Sequence, residues 1–538
     1  MKKIGLIAVL SVMVCSAWAV PARRGEIVKT QPDGTQIVVY QHGDEHFHWM
    51  TNEKGEWLKM DVDGFYRVTE ALSAEQIEAK RMAAPSRAAQ AATPLNIAPR
   101  GLVILVNFTD VAFETDKAEM DSMLTGKNYT RDYSYFYRGK KQSITSKGSA
   151  WQYFYDSSNG HYDPQFDVIG PVTVSKNMAY YGKNVNDFDA APWTMVKEAC
   201  QLVDDSVDFK QYDNNNDGYV DFVYVIYAGY GEADGGSANT IWPHSYWLLE
   251  AGITCKLDGK YVDLYACGNE MDSRTNYHTG IGTFCHEFSH VLGLPDLYET
   301  TGYGTYKTIG AWSILDYGPY NNDGNTPPAY SAYEQFFMGW LMPRLIVDAE
   351  NVELEELQAS NSALLISSSD QHNLIGNDPK PTTFYLLENR QQVGWDKYLP
   401  GHGLMLTKVQ YSSNNWQQNT VNNKAQSMGV DLIEADGMTP NSKQNGYDGK
   451  PGDLFPAGAT AYLGITNHSI EDVSEQDGII YFKYRGGIAN STEQVQTEET
   501  IVAIYNILGQ KQEAVDIESL PHGTYVVVTT AGSKKIVR

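Results

Sequence analysis

The chain is poor in positive charge for its length. It has 538 residues, with 41 Lys and Arg against 66 Asp and Glu, which gives a formal net charge of -25. A surface this acidic repels the phosphate backbone of nucleic acids. No nucleic-acid partner is therefore expected. Hydrophobic residues make up 42% of the chain, too many for a disordered protein. A chain this long is expected to fold as two to four domains.

Long apolar runs are also missing. No stretch reaches the ~20 uninterrupted apolar residues that a transmembrane helix needs, so none is expected. The apolar run at residues 4–14 follows two lysines and precedes Ala-Trp-Ala at 17–19. This pattern predicts a secretory signal peptide, residues 1–19, cleaved before Val20. Cys15 allows a lipoprotein signal as the alternative, but Val14 stands where that signal needs a small residue.

Cysteine is scarce, with four residues beyond the predicted signal peptide: Cys200, Cys255, Cys267 and Cys285. Export would permit disulfides. Cys255 and Cys267 bracket an apparent hairpin and are the expected pair, and the spacing contains no zinc-ribbon pattern. Cys285 is expected to be a small buried helix residue rather than a reactive thiol.

The remaining sequence divides into four regions. Residues 20–99 begin with apolar/polar alternation and Asp-Gly turns, typical of antiparallel hairpins, and end in a basic Ala/Pro-rich linker open to proteolysis. Residues 100–343 mix buried strands with helices, as in an α+β domain. Short alternating runs at 344–487 predict a β-sandwich. Residues 492–538 read as a last unit of three or four short strands.

Histidine is rare as well, with twelve residues, yet His286 and His290 stand four apart in "FCHEFSHVLGLPD". On a helix they lie on one face and can reach a single zinc ion. Glu287 lies beside them, where it can take a proton from metal-bound water. Gly293 permits a sharp turn that returns Asp296 as a third ligand, leaving one position open for water. The alternative is two histidines merely hydrogen-bonded in a core.

A second metal-binding pattern is "DNNNDGYVD". It places side-chain oxygens at alternate positions, with a possible backbone carbonyl among them, and Gly218 for a tight turn. Hard oxygen ligands on such a loop favour calcium, although the final glutamate of an EF-hand loop is missing. The predicted calcium ligands are Asp213, Asn215, Asp217, Tyr219 and Asp221. The alternative is an Asn/Asp-rich turn without a metal.

His42, His46 and His48 cluster in the first unit. We favour surface hairpin residues for these three. The alternatives are a weak metal site or a block on the zinc in a precursor.

The zinc pattern carries a specific resemblance. "GTFCHEFSHVLGLPDLY" resembles the zinc-binding segment of the immune-inhibitor-A family of secreted bacterial metallopeptidases, and "DNNNDGYVDFVYVIYAGYGE", "IWPHSYW" and "YLLENRQQVGWDKYLPGHGLM" resemble further family segments. The resemblance implies His286, His290 and Asp296 as zinc ligands and Glu287 as the base. It also implies a multidomain chain: an α+β metzincin-like catalytic domain with a small N-terminal β-rich propeptide and C-terminal β-sandwich domains.

The resemblance is imperfect in the turn expected beneath the zinc. The family usually has methionine there, and "WSILDYG" places Leu315 at that position. Tyr317 follows two residues later, and in related proteases a tyrosine there contacts the metal or steadies the oxyanion. Tyr317 is therefore a predicted catalytic residue, with a packed core tyrosine as the alternative.

The last unit resembles the C-terminal sorting domain of proteins exported by the type IX secretion system. "YNILGQ" (505–510), "LPHGTYVV" (520–527) and the closing "KKIVR" carry this resemblance. It implies a partner in the secretion machinery. The alternative is one more small β-domain.

Together these features predict a secreted, monomeric zinc metalloendopeptidase, extracellular or attached to the cell surface, which also binds calcium and cleaves proteins or peptides. Residues 20–99 would be its propeptide and 100–343 its catalytic domain, followed by the sandwich at 344–487 and the sorting domain at 492–538. No cysteine lies between Val20 and Arg100, so latency cannot use a thiolate on zinc. The competing interpretation is a non-catalytic binding protein on a decayed protease scaffold, which the intact Glu287 disfavours.

Overall fold

A computed structural model describes residues 20–45, 47–61, 63–73, 75–77, 99–185, 188–301, 308–437, 449–455, 462, 464–487, 501–506, 511–512, 524–529 and 532–537. The predicted signal peptide, nearly all of the predicted linker, His46 and parts of the sorting-domain motifs lie outside these residues. The chain divides into two compact units, Met1–Gly487 and Ile488–Arg538.

The first unit begins with a small antiparallel sheet. Its five strands pair in chain order: β1 (Ile27–Thr30), β2 (Gln36–Asp44), β3 (Phe47–Thr51), β4 (Trp57–Met60) and β5 (Tyr66–Val68). The predicted turn after Asp33 is present. Its residue Gly34 has a φ of +85°, a backbone conformation that glycine adopts more readily than other residues. The hairpins expected from the sequence are therefore confirmed.

A mixed region of strands and helices follows. Its elements are β6 (Arg100–Asn107), α1 (Lys117–Thr125), β7 (Thr130–Tyr137), β8 (Lys140–Lys147), α2 (Ala150–Ser157), β9 (Gln165–Thr173), α3 (Met178–Gly182), β10 (Asn184–Val185), β11 (Phe188–Asp189), α4 (Pro192–Val203), β12 (Tyr219–Val220), β13 (Val223–Tyr230), β14 (His244–Trp247), β15 (Cys255–Leu257), β16 (Lys260–Val262), β17 (Leu264–Met271), α5 (Gly282–Val291) and α6 (Ala332–Met338).

The central sheet of this region has the order β14-β17-β13-β6-β9, and only its edge strand β14 is antiparallel to its neighbour. Both faces are covered, which explains the continuous apolar run of β6. Val103 and Leu105 enter a core with α1, α2 and α5, whereas Leu102, Ile104 and Val106 enter a second core with α4. Helix α5 is thereby held against one face of the sheet.

The expected disulfide is wrong. Cys255 and Cys267 are both free and buried, as are Cys200 and Cys285. The apparent hairpin exists as β15 and β16, but Cys255 pairs with Val262 across it. Cys267 belongs to β17 of the central sheet, where its sulfur lies 3.5 Å from His244 Nδ1. The buried Cys285 agrees with its prediction as a packing residue.

Two sheets complete the first unit. Their elements are β18 (Arg344–Leu345), β19 (Glu350–Leu354), α7 (Leu357–Ser360), β20 (Leu364–Ile366), β21 (Thr383–Arg390), β22 (Gly403–Gln410), α8 (Ser413–Gln417), β23 (Val430–Leu432), β24 (Ile470–Gln476) and β25 (Ile479–Tyr484). Sheet β18-β20-β21-β22-β23 and sheet β19-β25-β24 share one hydrophobic core. The opposite face of the larger sheet, through Phe384 and Leu386, joins the core that contains α5.

The second unit contains a three-stranded antiparallel sheet of β26 (Ile501–Asn506), β27 (Thr524–Thr529) and β28 (Gly532–Val537). Within the described parts of the chain, no helix has the length and apolar character needed to cross a membrane.

Candidate metal centre and cleft

Helix α5 carries the HExxH motif, and all of its residues except Thr283 are buried. Phe284 and Phe288 pack into the core beneath the sheet, a burial that stabilises by about 1.5–3 kcal/mol for each ring. The first residue of the helix, Gly282, has to be a glycine, because a Cβ there would lie 2.0 Å from the carbonyl oxygen of Pro319. The packing therefore fixes both the position and the rotation of the helix that presents the histidines.

The three predicted zinc ligands come together at the end of α5. His286 Nε2 lies 3.0 Å from His290 Nε2, and each of these nitrogens lies 3.3 Å from Asp296 Oδ1. Gly293 makes the return possible, since its φ of +94° turns the chain sharply after the helix. These three residues are the only His/Cys/Asp/Glu group among the described residues that could hold a metal ion.

The hydrogen bonds around the imidazoles show why a cation fits. His286 Nδ1 donates to the carbonyl of Ile314 at 2.7 Å, and His290 Nδ1 donates to that of Leu294 at 2.8 Å. Neutral rings therefore turn their Nε2 lone pairs toward each other. Asp296 Oδ1 faces the same point, buried and with no hydrogen-bond donor. Two imidazole nitrogens and a carboxylate oxygen are a donor set that suits zinc.

The pKa values of the candidate metal ligands depend on burial and on one another. Burial and the neighbouring His290 lower the pKa of His286 below its usual value, which favours the neutral ligand form. Although burial disfavours a charged carboxylate, the two imidazoles hold the pKa of Asp296 well below its usual range. These directions favour a neutral His286 imidazole and an ionised Asp296 carboxylate, the forms that bind a metal.

Asp296 is positioned by a residue that sequence reasoning missed. The Asn419 side chain donates from Nδ2 to Asp296 Oδ2 at 2.5 Å and accepts the Asp296 backbone N–H at 2.8 Å. This double contact orients Oδ1 toward the histidines. Asn419 lies between α8 and β23 in a stretch without any metal-site motif, so the sequence contained no signal for it.

Glu287 is fully buried beside the ligands and makes an unexpected contact. Its Oε1 accepts a hydrogen bond from the backbone nitrogen of Val20 at 2.9 Å, while its Oε2 has no hydrogen-bond partner. Burial, and then the negative charge of Asp296, raise the pKa of Glu287 well above its usual value. Val20 is the residue at which the chain would begin after removal of the predicted signal peptide.

Residues 20–24, called here the cleft segment, are held largely through their main chain. Trp242 Nε1 donates to the Val20 carbonyl at 3.0 Å, and the Tyr320 hydroxyl donates to the Pro21 carbonyl at 2.6 Å. The Arg23 N–H donates to the carbonyl of Ala233 at 3.0 Å. Contacts of this kind bind a peptide backbone of any sequence. Trp242 lies in the quoted "IWPHSYW" segment, but nothing in the sequence connected it with Val20.

The side chain of Arg23 fills a cluster of three carboxylates, called here the acidic pocket: Asp234, Asp272 and Asp323. Its guanidinium donates to Asp272, lies 2.7 Å from Asp323 and lies 3.8 Å from Asp234. Arg23 is 5% exposed, so these charges interact with little screening by water.

The turn predicted beneath the zinc does lie against the ligands. Leu315 is fully buried there, and its neighbour Ile314 supplies the carbonyl that orients His286. Tyr317 lies at the end of this turn, with its ring centroid 3.5 Å from the Arg24 guanidinium carbon. Its catalytic role stays a prediction.

The predicted calcium loop gains no support. Asp213 pairs with Lys260 Nζ, and its two oxygens also accept the N–H groups of Asp217 and Gly218 at 3.0 and 3.1 Å. Asp221 Oδ2 accepts two hydrogen bonds from Asn214. The loop oxygens thus accept hydrogen bonds from their own turn, and the calcium site stays a prediction.

The described histidines of the N-terminal sheet do not reach the metal centre. His42 donates or accepts a hydrogen bond with Thr51 at 2.9 Å. His48 Nε2 lies 3.0 Å from Glu232 Oε1, and its ring stacks on Trp242 at 4.6 Å between centroids. His48 is therefore an interface residue rather than the surface hairpin residue expected from the sequence.

Comparison with known proteins points to one family. Residues 96–342 match the model described as "Immune inhibitor A peptidase M6, catalytic domain". The pre-pro-metalloprotease PrtV of Vibrio cholerae serotype O1 (strain M66-2) is 27% identical over 293 residues, which are 48% of this chain and 31% of PrtV. Immune inhibitor A of Bacillus thuringiensis subsp. alesti is 27% identical over 268 residues, which are 44% of this chain and 39% of that protein. The chain thus spans only about a third of the length of these relatives.

Proposed function

We propose that this chain, whose residues 96–342 are a peptidase M6 catalytic domain of the immune inhibitor A type, is a zinc-dependent metalloendopeptidase. The observation that carries the proposal is the convergence of His286 Nε2, His290 Nε2 and Asp296 Oδ1 around one point, with no hydrogen-bond donor for the Asp296 oxygen. These residues would hold the zinc, and the turn at Ile314 beneath them supports a metzincin-like arrangement.

Zinc, when bound, would supply Lewis-acid activation of water and of the substrate carbonyl. The proposed role of Glu287 is to accept a proton from the attacking water at a carboxylate oxygen and deliver it to the leaving amine. The contact with Val20 supports this, because Glu287 Oε1 already accepts a hydrogen bond from a backbone nitrogen at 2.9 Å. Trp242 and Tyr320 would hold the substrate main chain as they hold the cleft segment.

Residues 20–99 are proposed to be an inhibitory propeptide. The cleft segment contacts Glu287, Trp242 and Tyr320, so a substrate that needs these same contacts cannot bind while the segment stays in place. The Ala/Pro-rich stretch from Lys80 to Arg100 precedes β6, so cleavage there would free the segment without cutting the central sheet.

The decisive experiment separates the base from the ligands. Glu287→Ala removes the proton acceptor but no ligand, so zinc should stay near one ion per chain while turnover falls about 10²–10⁴-fold or more. His290→Ala should lower both zinc content and activity. Glu114→Ala, at an exposed glutamate of the same domain, is the control and should change neither.

Zinc is measured by elemental analysis and activity by hydrolysis of an unfolded protein, with and without a chelator. If Glu287→Ala cleaves as fast as the parent, the proposed centre is wrong. A parent protein that binds zinc but cleaves nothing after removal of residues 20–99 would favour the binding-protein alternative.

We further propose that residues 492–538 direct secretion. The support is the type IX sorting-domain resemblance of "YNILGQ" and "LPHGTYVV", together with the separate compactness of Ile488–Arg538. Deleting residues 492–538 in the natural host should leave an active protease trapped in the periplasm. Normal appearance of the shortened chain in the medium would exclude this role.

A further inference from the structure

The cleft segment lies in the position of a cleavage product. In the reaction proposed above, Glu287 protonates the nitrogen of the residue that follows the broken bond, and the backbone nitrogen at that position is Val20 N. Val20 therefore occupies the place of the first residue after the cut, and the chain leads away through Pro21 and Ala22. Arg23 occupies the place of the fourth residue after the cut.

We propose that the acidic pocket of Asp234, Asp272 and Asp323 is a specificity subsite, which binds an arginine or lysine side chain at the fourth substrate residue after the cleaved bond. This rests on the proposed endopeptidase function and adds the substrate class to it. In the precursor the guanidinium of Arg23 takes the place of the substrate side chain.

The geometry of the pocket matches a guanidinium. Asp272 accepts a hydrogen bond from Nη1 of Arg23, and Asp323 Oδ1 accepts one from Nη2 at 2.7 Å. The remaining carboxylate, Asp234, is oriented by Asn269, which donates to it at 3.0 Å. Fixed carboxylates on several sides of a planar cation give both affinity and direction.

The pocket also needs a cation when the segment leaves. Asp234 and Asp272 are 7% and 4% exposed beneath Arg23. Burial, and then the charge of Asp272, raise the pKa of Asp234 to about 6, so these two carboxylates repel each other. Arg274 lies 3.3 Å from Asp323 and offsets part of the charge, but its effect on the pKa of Asp234 is smaller than those of burial and of Asp272. A basic substrate residue would compensate the two remaining carboxylates.

The sequence repeats the pattern of the cleft segment at the place where maturation is proposed. Val-Pro-Ala-Arg stands at residues 20–23, and Ala-Pro-Ser-Arg stands at residues 84–87. A proline followed two residues later by arginine occurs at these two places in the 538-residue chain. Bound as the cleft segment is bound, residues 84–87 would place Arg87 in the acidic pocket and the bond between Ala83 and Ala84 at the catalytic centre.

The experiment uses the zinc-loaded mature enzyme, purified from cells that express the full chain, and a fluorogenic peptide with the sequence of residues 79–91. A second peptide replaces Arg87 with citrulline, which keeps the shape and removes the charge. The arginine peptide should be cleaved between Ala83 and Ala84, as read by mass spectrometry. Its kcat/KM should exceed that of the citrulline peptide at least ~10-fold, the size of one charge-assisted hydrogen bond, mainly through KM.

Variants of the enzyme then test whether the acidic pocket is what distinguishes the arginine peptide from the citrulline peptide. In Asp272→Asn and in Asp323→Asn the ratio of the two kcat/KM values should fall toward one, because each variant removes one carboxylate from the pocket. Asp121→Asn, at an exposed aspartate on α1, is the matched control and should keep the parental ratio. The ratio compares two peptides on the same enzyme, so a general loss of activity in a variant cancels.

Equal rates for the two peptides on the unmodified enzyme would overturn the subsite, as would cleavage at a bond other than Ala83–Ala84. Either result leaves the endopeptidase itself intact if an unfolded protein is still cleaved in a zinc-dependent way. Failure to cleave any substrate would overturn the proposed function and the subsite together.

Discussion

Arg23→Ala should release the cleft segment and activate the precursor. The guanidinium of Arg23 is 5% exposed and faces three carboxylates, of which Asp272 and Asp234 are equally buried. Removing one partner of a buried ion pair costs about 3–5 kcal/mol, because the other charges stay uncompensated. At 1.4 kcal/mol for each factor of ten, docking of the segment should weaken about 10²–10³-fold or more.

The assay follows the uncleaved precursor. Activity on a short peptide without arginine, and the rate at which the precursor band converts to the mature band, should both rise in Arg23→Ala. Arg67→Ala is the matched control, since Arg67 belongs to the same N-terminal sheet but pairs with Asp61 and Asp63 at the surface. Such exposed pairs are worth only about 0–1 kcal/mol, so this variant should behave like the parent. An Arg23→Ala precursor as inactive and as slowly processed as the parent would refute the reasoning.

Three further results are expected. Asn419→Ala should weaken zinc binding about 10–100-fold in a chelator titration, because Asp296 loses the group that orients it; unchanged affinity would show that the contact is dispensable. Although burial favours the neutral ring, the charge of Glu232, its hydrogen bond and, more weakly, Asp189 raise the pKa of His48 to about 9. A base whose pKa rises on docking stabilises the docked state fully below its free value of about 6.5 and loses that stabilisation as pH rises through 9. Precursor activity should therefore rise between pH 7 and pH 10 more in the parent than in His48→Gln, and equal pH profiles would remove this residue from the interface energetics. Added calcium should leave the Tm of the parent unchanged, because Lys260 already neutralises Asp213; a clear rise in Tm on calcium addition would restore the calcium site.

The sequence patterns predicted correctly those elements that depend mainly on residues close together in the chain. The hairpins of residues 27–68 follow from strict alternation and Asp-Gly turns. The buried strands β6 and β13 follow from continuous apolar runs covered on both faces. Each of these features depends on neighbours a few residues away.

The disulfide prediction failed, and the calcium loop stays a prediction, because spacing along the chain does not show which way a side chain points. Cys255 and Cys267 stand close in sequence, but they belong to different sheets. The oxygens of residues 213–221 follow an ion-binding pattern, yet they accept hydrogen bonds from their own turn and from Lys260. The spacing of oxygen-bearing side chains along a sequence does not show where their lone pairs point in the folded protein.

The sequence by itself determined the candidate metal centre, because one helical turn separates His286 from His290 and a glycine-permitted turn returns Asp296. Only the tertiary structure decided what surrounds that centre. Asn419 is 123 residues from Asp296, and Val20 is 267 residues from Glu287. Contacts over such separations leave no periodic pattern in the sequence. They form only when the central sheet, the larger C-terminal sheet and the N-terminal strands pack around α5. The same packing turned Arg23, an unremarkable basic residue in the sequence, into the occupant of a buried acidic pocket.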